Sequence, residues 1–245
     1  VDREGKEMKD LTPFDSVRVQ IVDDLMDHPT DVLIGMNKRV REIFDVYRLN
    51  TVTGELTMVA QNPGNITGWV TDHAGNIRIA TTTDGVNTSI LYRDSEKDTF
   101  QNVMTTNFKE TFGPLFFTFD NKNIYAVSNL GRDKTAIVEY DIANKKEVSV
   151  LYERNDVDVS GMDYSRLRKV LTEIFYTTWK LEHKFLDKET EDIYTKLEKK
   201  LPGYDVTVVS NDKNEEVFTV STSSDRTRGS FYLYEKKSGK LTKLA

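Results

Sequence analysis

Three histidines, His28, His73 and His183, and no cysteine make up the chain's whole stock of imidazole and thiol. None of the histidines stands at a metal-ligand spacing such as His-x-x-x-His: His28 precedes Pro29 in a polar turn, and His73 lies in the turn "TDHAG". Without Cys there is no thiolate site, no disulfide and no cysteine nucleophile. A serine hydrolase of the α/β type needs Gly-x-Ser-x-Gly, whose small residues permit the strained turn that exposes the hydroxyl. The nearest trace, "VSGMDYS", lacks the first glycine. Adjacent acids such as Asp23-Asp24 and Glu215-Glu216 point in different directions on a strand or turn, so they do not converge on a substrate. No catalytic set, no metal set, no cofactor and no phosphate-cradling glycine loop is expected.

Arginines are the remaining candidates, because a guanidinium binds a carboxylate through two parallel hydrogen bonds. Arg39 and Arg41 lie in "NKRVREIF", Arg132 in "NLGRDK", and Arg226 and Arg228 in "SSDRTRG". Each sits in, or in a loop equivalent to, the connection between the second and third strands of a repeated unit, and such connections should emerge on one face. Arg39 and Arg132 are therefore the candidates for substrate contact. The competing reading is a local pair with a neighbouring acid, such as Arg132–Asp133 or Arg226–Asp225.

The elements that would position these residues come from a repeat. "DVYRLNTVTGELTMVA" (45–60) returns near the C-terminus as "SFYLYEKKSGKLTKLA" (230–245), with Tyr47 on Tyr232, Leu49 on Tyr234 and Leu56 on Leu241 when Gly54 is set on Gly239. Weaker copies occur at 89–106 and 136–153. The equivalents of Leu49 are Tyr92, Tyr140 and Tyr234, at spacings of 43, 48 and 94 residues, the last being twice 47. Each unit has an earlier half, as in "ITGWVTDHAGNIRIATTT", where apolar and polar residues alternate on both sides of a turn acid, here Asp72 and elsewhere Asp120 and Asp212. Alternation of period two marks strands, and four short strands in a unit of about 45 residues mark a β-propeller blade.

The expected fold is all-β: a β-propeller of four-stranded antiparallel blades, about five of them visible. The blades are expected at approximately 16–61, 62–107, 108–154, 155–202 and 203–245, preceded by an orphan outer strand at 5–14. That strand resembles the remnant of a blade, so 1–245 is expected to be a single propeller domain or a piece of a larger one, forming either a closed ring or an incomplete one. An open arc would leave two exposed blade faces, a route to homo-oligomers. One segment departs from the pattern. "KETEDIYTKLEKKL" (188–201) places Ile193, Leu197 and Leu201 four apart, and Pro202-Gly203 stops it, which predicts a helix where the fourth blade's outer strand should be.

Composition sets the outer bounds. Of 245 residues, 38% are hydrophobic and 30% charged, enough apolar surface for a core. A net charge of −6 with no dominant basic block argues against nucleic acid as a partner. No apolar run is long enough for a membrane-spanning helix, and no membrane partner is expected. The composition fits a cytoplasmic or a periplasmic protein equally.

The stretch from Val32 to Gly85 resembles the propeller of bacterial prolyl oligopeptidase-family serine peptidases, of the acylaminoacyl-peptidase and dipeptidyl-peptidase type. The resemblance rests on Asn37 and Arg39, Asp45-Val46-Tyr47, Thr53-Gly54-Glu55-Leu56, Asn62-Pro63-Gly64 and Gly68-Trp69, in that order. "SNLGRDKTAIVEYD" and "SSDRTRGSFYLYEKKSGKLTKLA" extend it over nearly the whole chain. The resemblance implies a non-catalytic propeller that covers an active site and limits access to short peptides. It also implies a C-terminal α/β-hydrolase domain in cis that carries the Ser, Asp and His. The alternative is a free-standing propeller of the TolB kind, a scaffold for protein partners.

Overall fold

The computed structural model describes residue 6 and residues 8–245. Five antiparallel sheets follow one another along the chain, each a simple meander. The first holds β1 (Val19–Asp23), β2 (Asp31–Val40), β3 (Ile43–Asn50) and β4 (Leu56–Ala60). The second holds β5 (Ile66–Thr71), β6 (Ile77–Thr83), β7 (Thr88–Tyr92) and β8 (Gln101–Thr106). The third holds β9 (Phe112–Phe117), β10 (Ile124–Ser128), β11 (Ala136–Asp141) and β12 (Lys146–Tyr152). The fourth has three strands, β13 (Val159–Ser165), β14 (Val170–Thr177) and β15 (Leu181–Phe185), and helix α1 (Lys188–Lys200) follows in place of an outer strand. The fifth holds β16 (Asp205–Asn211), β17 (Val217–Ser224), β18 (Thr227–Glu235) and β19 (Lys240–Lys243). These are the blades of a β-propeller, all-β but for a single helix among the described residues.

The repeated text has a local cause. In both copies a glycine closes the hairpin between the third and fourth strands in the left-handed region, Gly54 at φ 81° and Gly239 at φ 65°. Their amides donate to Asn50 O and Glu235 O, each at 2.8 Å. The left-handed backbone favours glycine because it has no Cβ to clash. The turn acids of the earlier half-units serve one purpose as well. Asp72 Oδ1 accepts the amides of Ala74 and Asn76 at 3.0 Å, and Asp212 Oδ1 accepts those of Glu216 and Val217 at 2.8 and 2.9 Å. Asp120 Oδ1 takes the Thr118 hydroxyl at 2.7 Å and the Lys122 amide at 3.2 Å. A short carboxylate folded back on its own backbone fixes a turn without help from packing.

The chain divides into two compact units, one of Val1–Ala126 with Glu139–Ser149 and the other of Val127–Val138 with Val150–Ala245. In the first, Leu33, Val46 and Ala60 on one face of the first sheet pack with Leu25 and Ile77, and Trp69 and Phe100 close the cluster. The opposite face, Ile34, Met36, Tyr47 and Leu49, is covered by Leu11, Phe14 and Val17. Those covering residues belong partly to the expected outer strand 5–14, of which residue 7 and residue 5 lie outside the described residues. Over 8–14 the chain joins no ladder. Pro13 has no amide to give one, and Asp10 Oδ1 takes the Thr12 amide at 2.8 Å instead.

In the second unit, helix α1 supplies core. Asp187 caps it through the Thr190 amide, acids occupy its first turn and lysines its last, in the sense its dipole favours. Ile193, Leu197 and Leu201 pack with Val206, Phe218, Val220 and Tyr234 of the fifth sheet.

Candidate functional site

Arg39 lies near the end of β2 with its guanidinium turned inward. Nε donates to Asp45 Oδ2 at 2.8 Å, and Nη2 donates to Asp45 Oδ1 at 2.9 Å and to Asn62 O at 2.8 Å. Asp45, from β3, has no exposed side-chain surface. It also accepts the Asn62 amide at 2.8 Å. Burial pushes the Asp45 carboxyl up, but the Arg39 hydrogen bond and the Asn62 amide outweigh burial and hold it below the usual carboxylate range. Asn62 Oδ1 in turn accepts from Gly64 and Ile66, and Asn37 ties the Arg18 amide to the Arg41 carbonyl. Four residues of the resemblance, Asn37, Arg39, Asp45 and Asn62, thus knot the β2–β3 connection to the entry of β5. The local Arg–Asp reading describes Arg39, though the partner is Asp45 across the turn.

In the second unit the connections between second and third strands share one edge. Ser165 and Arg168, at the β13–β14 turn, reach Glu215 at the β16–β17 turn, so these first turns of the two sheets lie together. The following connections, Thr178–Lys180 and Asp225–Arg226, therefore lie at the opposite edge. The β10–β11 connection joins them there: Thr135 pairs with Asp158 and Val159 at the start of β13, which is in register with Tyr176 at the end of β14. Arg132, only 19% exposed, has Nε 4.0 Å from Glu153, while Asp133 pairs with Lys134. Arg226 is 88% exposed and 4.0 Å from Asp225.

Two residues on this edge carry no signal in the motif reading. Arg154 forks onto Asp156 at 2.9 and 2.7 Å and stacks over the Tyr176 ring at 4.3 Å. Trp179 stands at the tip of the β14–β15 hairpin, 86% exposed, with Lys180 Nζ 5.1 Å from its ring centre. The signal available was composition: an indole in a tight polar turn, "TTWK", has no core to enter.

The other edge of this unit holds a polar knot and a cavity of about 220 Å³, lined by Asp163, Arg168, Glu173, Ile193, Asn211 and Glu215 among others. Arg168 donates to Glu215 at 3.1 Å and to Asp187, the helix cap, at 2.7 Å. Glu173 accepts the Tyr194 hydroxyl at 3.1 Å and faces His183 Nδ1 at 2.6 Å. Asp163 lines the cavity with part of its side chain exposed to solvent and the rest against packed protein. That burial, followed by the charge of Glu173, raises its carboxyl above the usual range, with His183 opposing. Ser165, of the "VSGMDYS" trace, donates its buried hydroxyl to Glu215 and accepts the Arg168 amide, with no histidine beside it. His28 and His73 meet carbonyls, of Ala74 at 3.2 Å and Phe117 at 2.9 Å. Among the described residues no group of three or more His, Asp or Glu is placed to hold a metal ion. Among the described residues no helix is long and apolar enough to cross a membrane.

Meandering blades with a hydrogen-bonded turn code define the class: this is a β-propeller of the kind found in prolyl oligopeptidases and TolB. A puromycin-hydrolysing peptidase of Mycobacterium tuberculosis superposes with a TM-score of 0.56 at 12% identity, over 93% of this chain and 38% of that one. Prolyl oligopeptidase B of Galerina marginata gives 0.54 at 12% identity, over 92% and 33%. TolB of Acinetobacter baumannii gives 0.52 at 10% identity, over 94% and 52%. In sequence, the chain is similar to dipeptidyl aminopeptidase BIII of Pseudoxanthomonas mexicana, 28% identical over 256 residues. The match takes in 100% of this chain and 35% of the relative, so the chain spans about a third of that enzyme's length. No protein-family profile matches the chain.

Proposed function

We propose that the chain is the non-catalytic propeller of a dipeptidyl aminopeptidase-like serine peptidase. In that role it frames an active site carried by an α/β-hydrolase domain of the same polypeptide and restricts entry to short peptides. The observation that carries the reading is the span of the sequence likeness: all of this chain against 35% of a dipeptidyl aminopeptidase. Such a propeller needs rigid blades and shaped rims, and its residues bind, orient and exclude; they do not cleave. Arg132 keeps a place on the substrate side of this reading, at the edge where the second-to-third-strand connections meet. Arg39 acts through the turn it holds. Neither nucleic acid nor a membrane has a part.

A second reading, a TolB-like scaffold for protein partners, is favoured by a structural likeness to TolB of similar quality. Assaying the full-length gene product with chromogenic dipeptidyl and acyl-amino-acid substrates separates the two. Release of chromophore, abolished when the hydrolase serine is replaced, is the expected result. A gene product that ends near residue 245 and hydrolyses nothing would leave the scaffold.

A further inference from the structure

The same place in two blades is built in two ways. In the second sheet Val70 pairs with Ile79 and Thr71 with Ile77, so Arg78 stands unopposed in a bulge on the second strand. In the fourth sheet Asp163 pairs with Glu173 and Tyr164 with Leu171, which leaves Thr172 unopposed at the same point of the ladder. A bulge re-aims the extra side chain out of the strand's alternation. In the second sheet that side chain is a cation. Arg78, 9% exposed, donates from Nη1 to Asn121 O of the next sheet at 2.7 Å and from Nη2 to the Tyr92 hydroxyl. Its guanidinium lies 4.8 Å from the centre of the Phe117 ring and 3.8 Å from both Asp72 and Asp94. The seam between the second and third sheets is thus filled by a guanidinium held between acids and aromatic rings.

The seam between the fourth and fifth sheets has the acids without that side chain. Thr172 is too short to cross it, and there it lines the cavity of about 220 Å³. Where the second sheet has Val70 and Ile79, the fourth has Asp163 and Glu173, a directly opposed pair whose carboxyls leave the same face. Three acids line the cavity, Asp163, Glu173 and Glu215, against one cation, Arg168. Arg168 is committed to Glu215 and Asp187, while Tyr194 and His183 meet the two oxygens of Glu173. Asp163 has no hydrogen bond or ion pair among the described residues. Burial and the charge of Glu173 raise its carboxyl, a cost that a cation set against it relieves. The rest of the wall is apolar. It includes Ile193 of α1, Phe218, and Val209, which is unopposed in a bulge of β16 and 54% exposed.

We propose that this cavity binds a small alkylguanidinium cation, its head against Asp163 and Glu173 and its aliphatic stem along Ile193, Val209 and Phe218. The ligand supplies to the fourth seam the group that Arg78 supplies to the second. The site stands independently of the function proposed above. Two carriers present this chemistry, a free guanidine and an arginine side chain of another polypeptide.

The test titrates n-propylguanidinium into the full-length protein by isothermal calorimetry, with n-propylurea as the uncharged isostere and Nα-acetyl-arginine amide as the second carrier. Asp163→Asn removes the charge that receives the head, and Thr172→Arg gives the cavity a guanidinium from the chain itself. Circular dichroism checks that each variant is folded, and should one fail to fold the other decides. Saturable binding of propylguanidinium, weakened about tenfold or more by either substitution and absent for propylurea, is the expected result. Tighter binding of acetyl-arginine amide than of propylguanidinium would name arginine as the carrier, and weaker binding a free guanidine; both keep the site. No saturable binding to the parent, equal affinity in parent and folded variants, or equal affinity for propylurea would overturn the proposal.

Discussion

Replacing Tyr194 by phenylalanine asks whether helix α1 is stitched into its blade or rests on it. The side chain is 2% exposed, and its hydroxyl donates to Glu173 at 3.1 Å and accepts the Val208 amide at 3.3 Å. Phenylalanine keeps the ring contacts with His183 and Phe185, at 4.8 and 5.0 Å between centroids, so the loss belongs to the hydroxyl. A buried hydrogen bond to a charged acceptor contributes about 1.5–3 kcal/mol, which sets the expectation at about 2 kcal/mol. At about 2–4 °C per kcal/mol, Tm should fall by about 4–8 °C. Urea unfolding followed by near-ultraviolet circular dichroism is the assay, read as a shift in midpoint at constant slope. Tyr204→Phe, at a site 40% exposed, is the control and should stay within about 0.5 kcal/mol of the parent. The pH dependence adds a second check. Burial, reinforced by Glu173, keeps the Tyr194 phenol protonated far above its ordinary range, whereas an unfolded tyrosine ionises near about pH 10. The contribution is complete below that pH and is lost as pH rises toward the folded value, so the gap between parent and variant narrows above about pH 10. A loss at neutral pH no larger than that of Tyr204→Phe would refute the stitching.

Gly229 and Gly54 share a φ of +81°, but a Cβ at 229 would lie 1.7 Å from the Thr222 carbonyl oxygen, while at 54 nothing lies within 4 Å. Gly54→Ala should cost about 1–2 kcal/mol for the left-handed backbone alone, and Gly229→Ala about 4 kcal/mol or more; similar thermal midpoints for the two would refute the contact. Asp45→Ala removes the acceptor for Arg39 and the Asn62 amide and should cost about 2–3 kcal/mol at pH 7. Because the Asp45 carboxyl is depressed in the fold, its contribution is present above about pH 4 and lost as pH falls through the folded value, so parent and variant should converge in acid. Asp163→Asn has the opposite sign: a carboxyl raised by burial is no burden below about pH 4 and destabilises as pH rises through the folded value. The Asn variant should be more resistant to urea than the parent at pH 7 and equal to it near pH 3, and a weaker variant at pH 7 would show that Asp163 has a favourable partner.

Turns and the helix were the legible part of this chain. Gly54, Gly239, Asp72, Asp120 and Asp212 act on backbone within a few residues of themselves, so their chemistry is written locally. The helix was legible because Ile193 and Leu197 keep a four-residue spacing and Pro202-Gly203 follows. Side-chain partnerships were not. Arg132 lies by Glu153, twenty-one residues on in the chain, because the turn it occupies brings it to the end of β12. Glu173, His183 and Tyr194 meet only because β14 and β15 are in register with the helix laid over them, a product of three elements that no short motif records. The outer strand expected at 5–14 rests on its match to the repeat from Gly54, and over 8–14 Pro13 with the Asp10 turn overrides that match.

The residues that carried the likeness to a peptidase family prove to be frame. Asn37, Arg39, Asp45 and Asn62 spend their hydrogen bonds on one another and on the backbone of two turns. A likeness built on such residues identifies the architecture, because any chain that must turn at those points needs the same donors and acceptors. It does not locate a working surface. A working surface should instead hold side chains the frame does not use, and in the second unit Trp179 and Arg226 are two of them on the same edge. Trp179 serves no core, and Arg226 has only a loose, solvent-exposed neighbour in Asp225. An exposed ion pair at that distance contributes little, so Arg226 can exchange Asp225 for a better carboxylate at small cost. An indole left in water can only gain by being covered. On the opposite edge Arg168, Glu215 and Asp187 are already mutually satisfied. A protein partner approaching this unit therefore gains more by covering Trp179 than by meeting that trio.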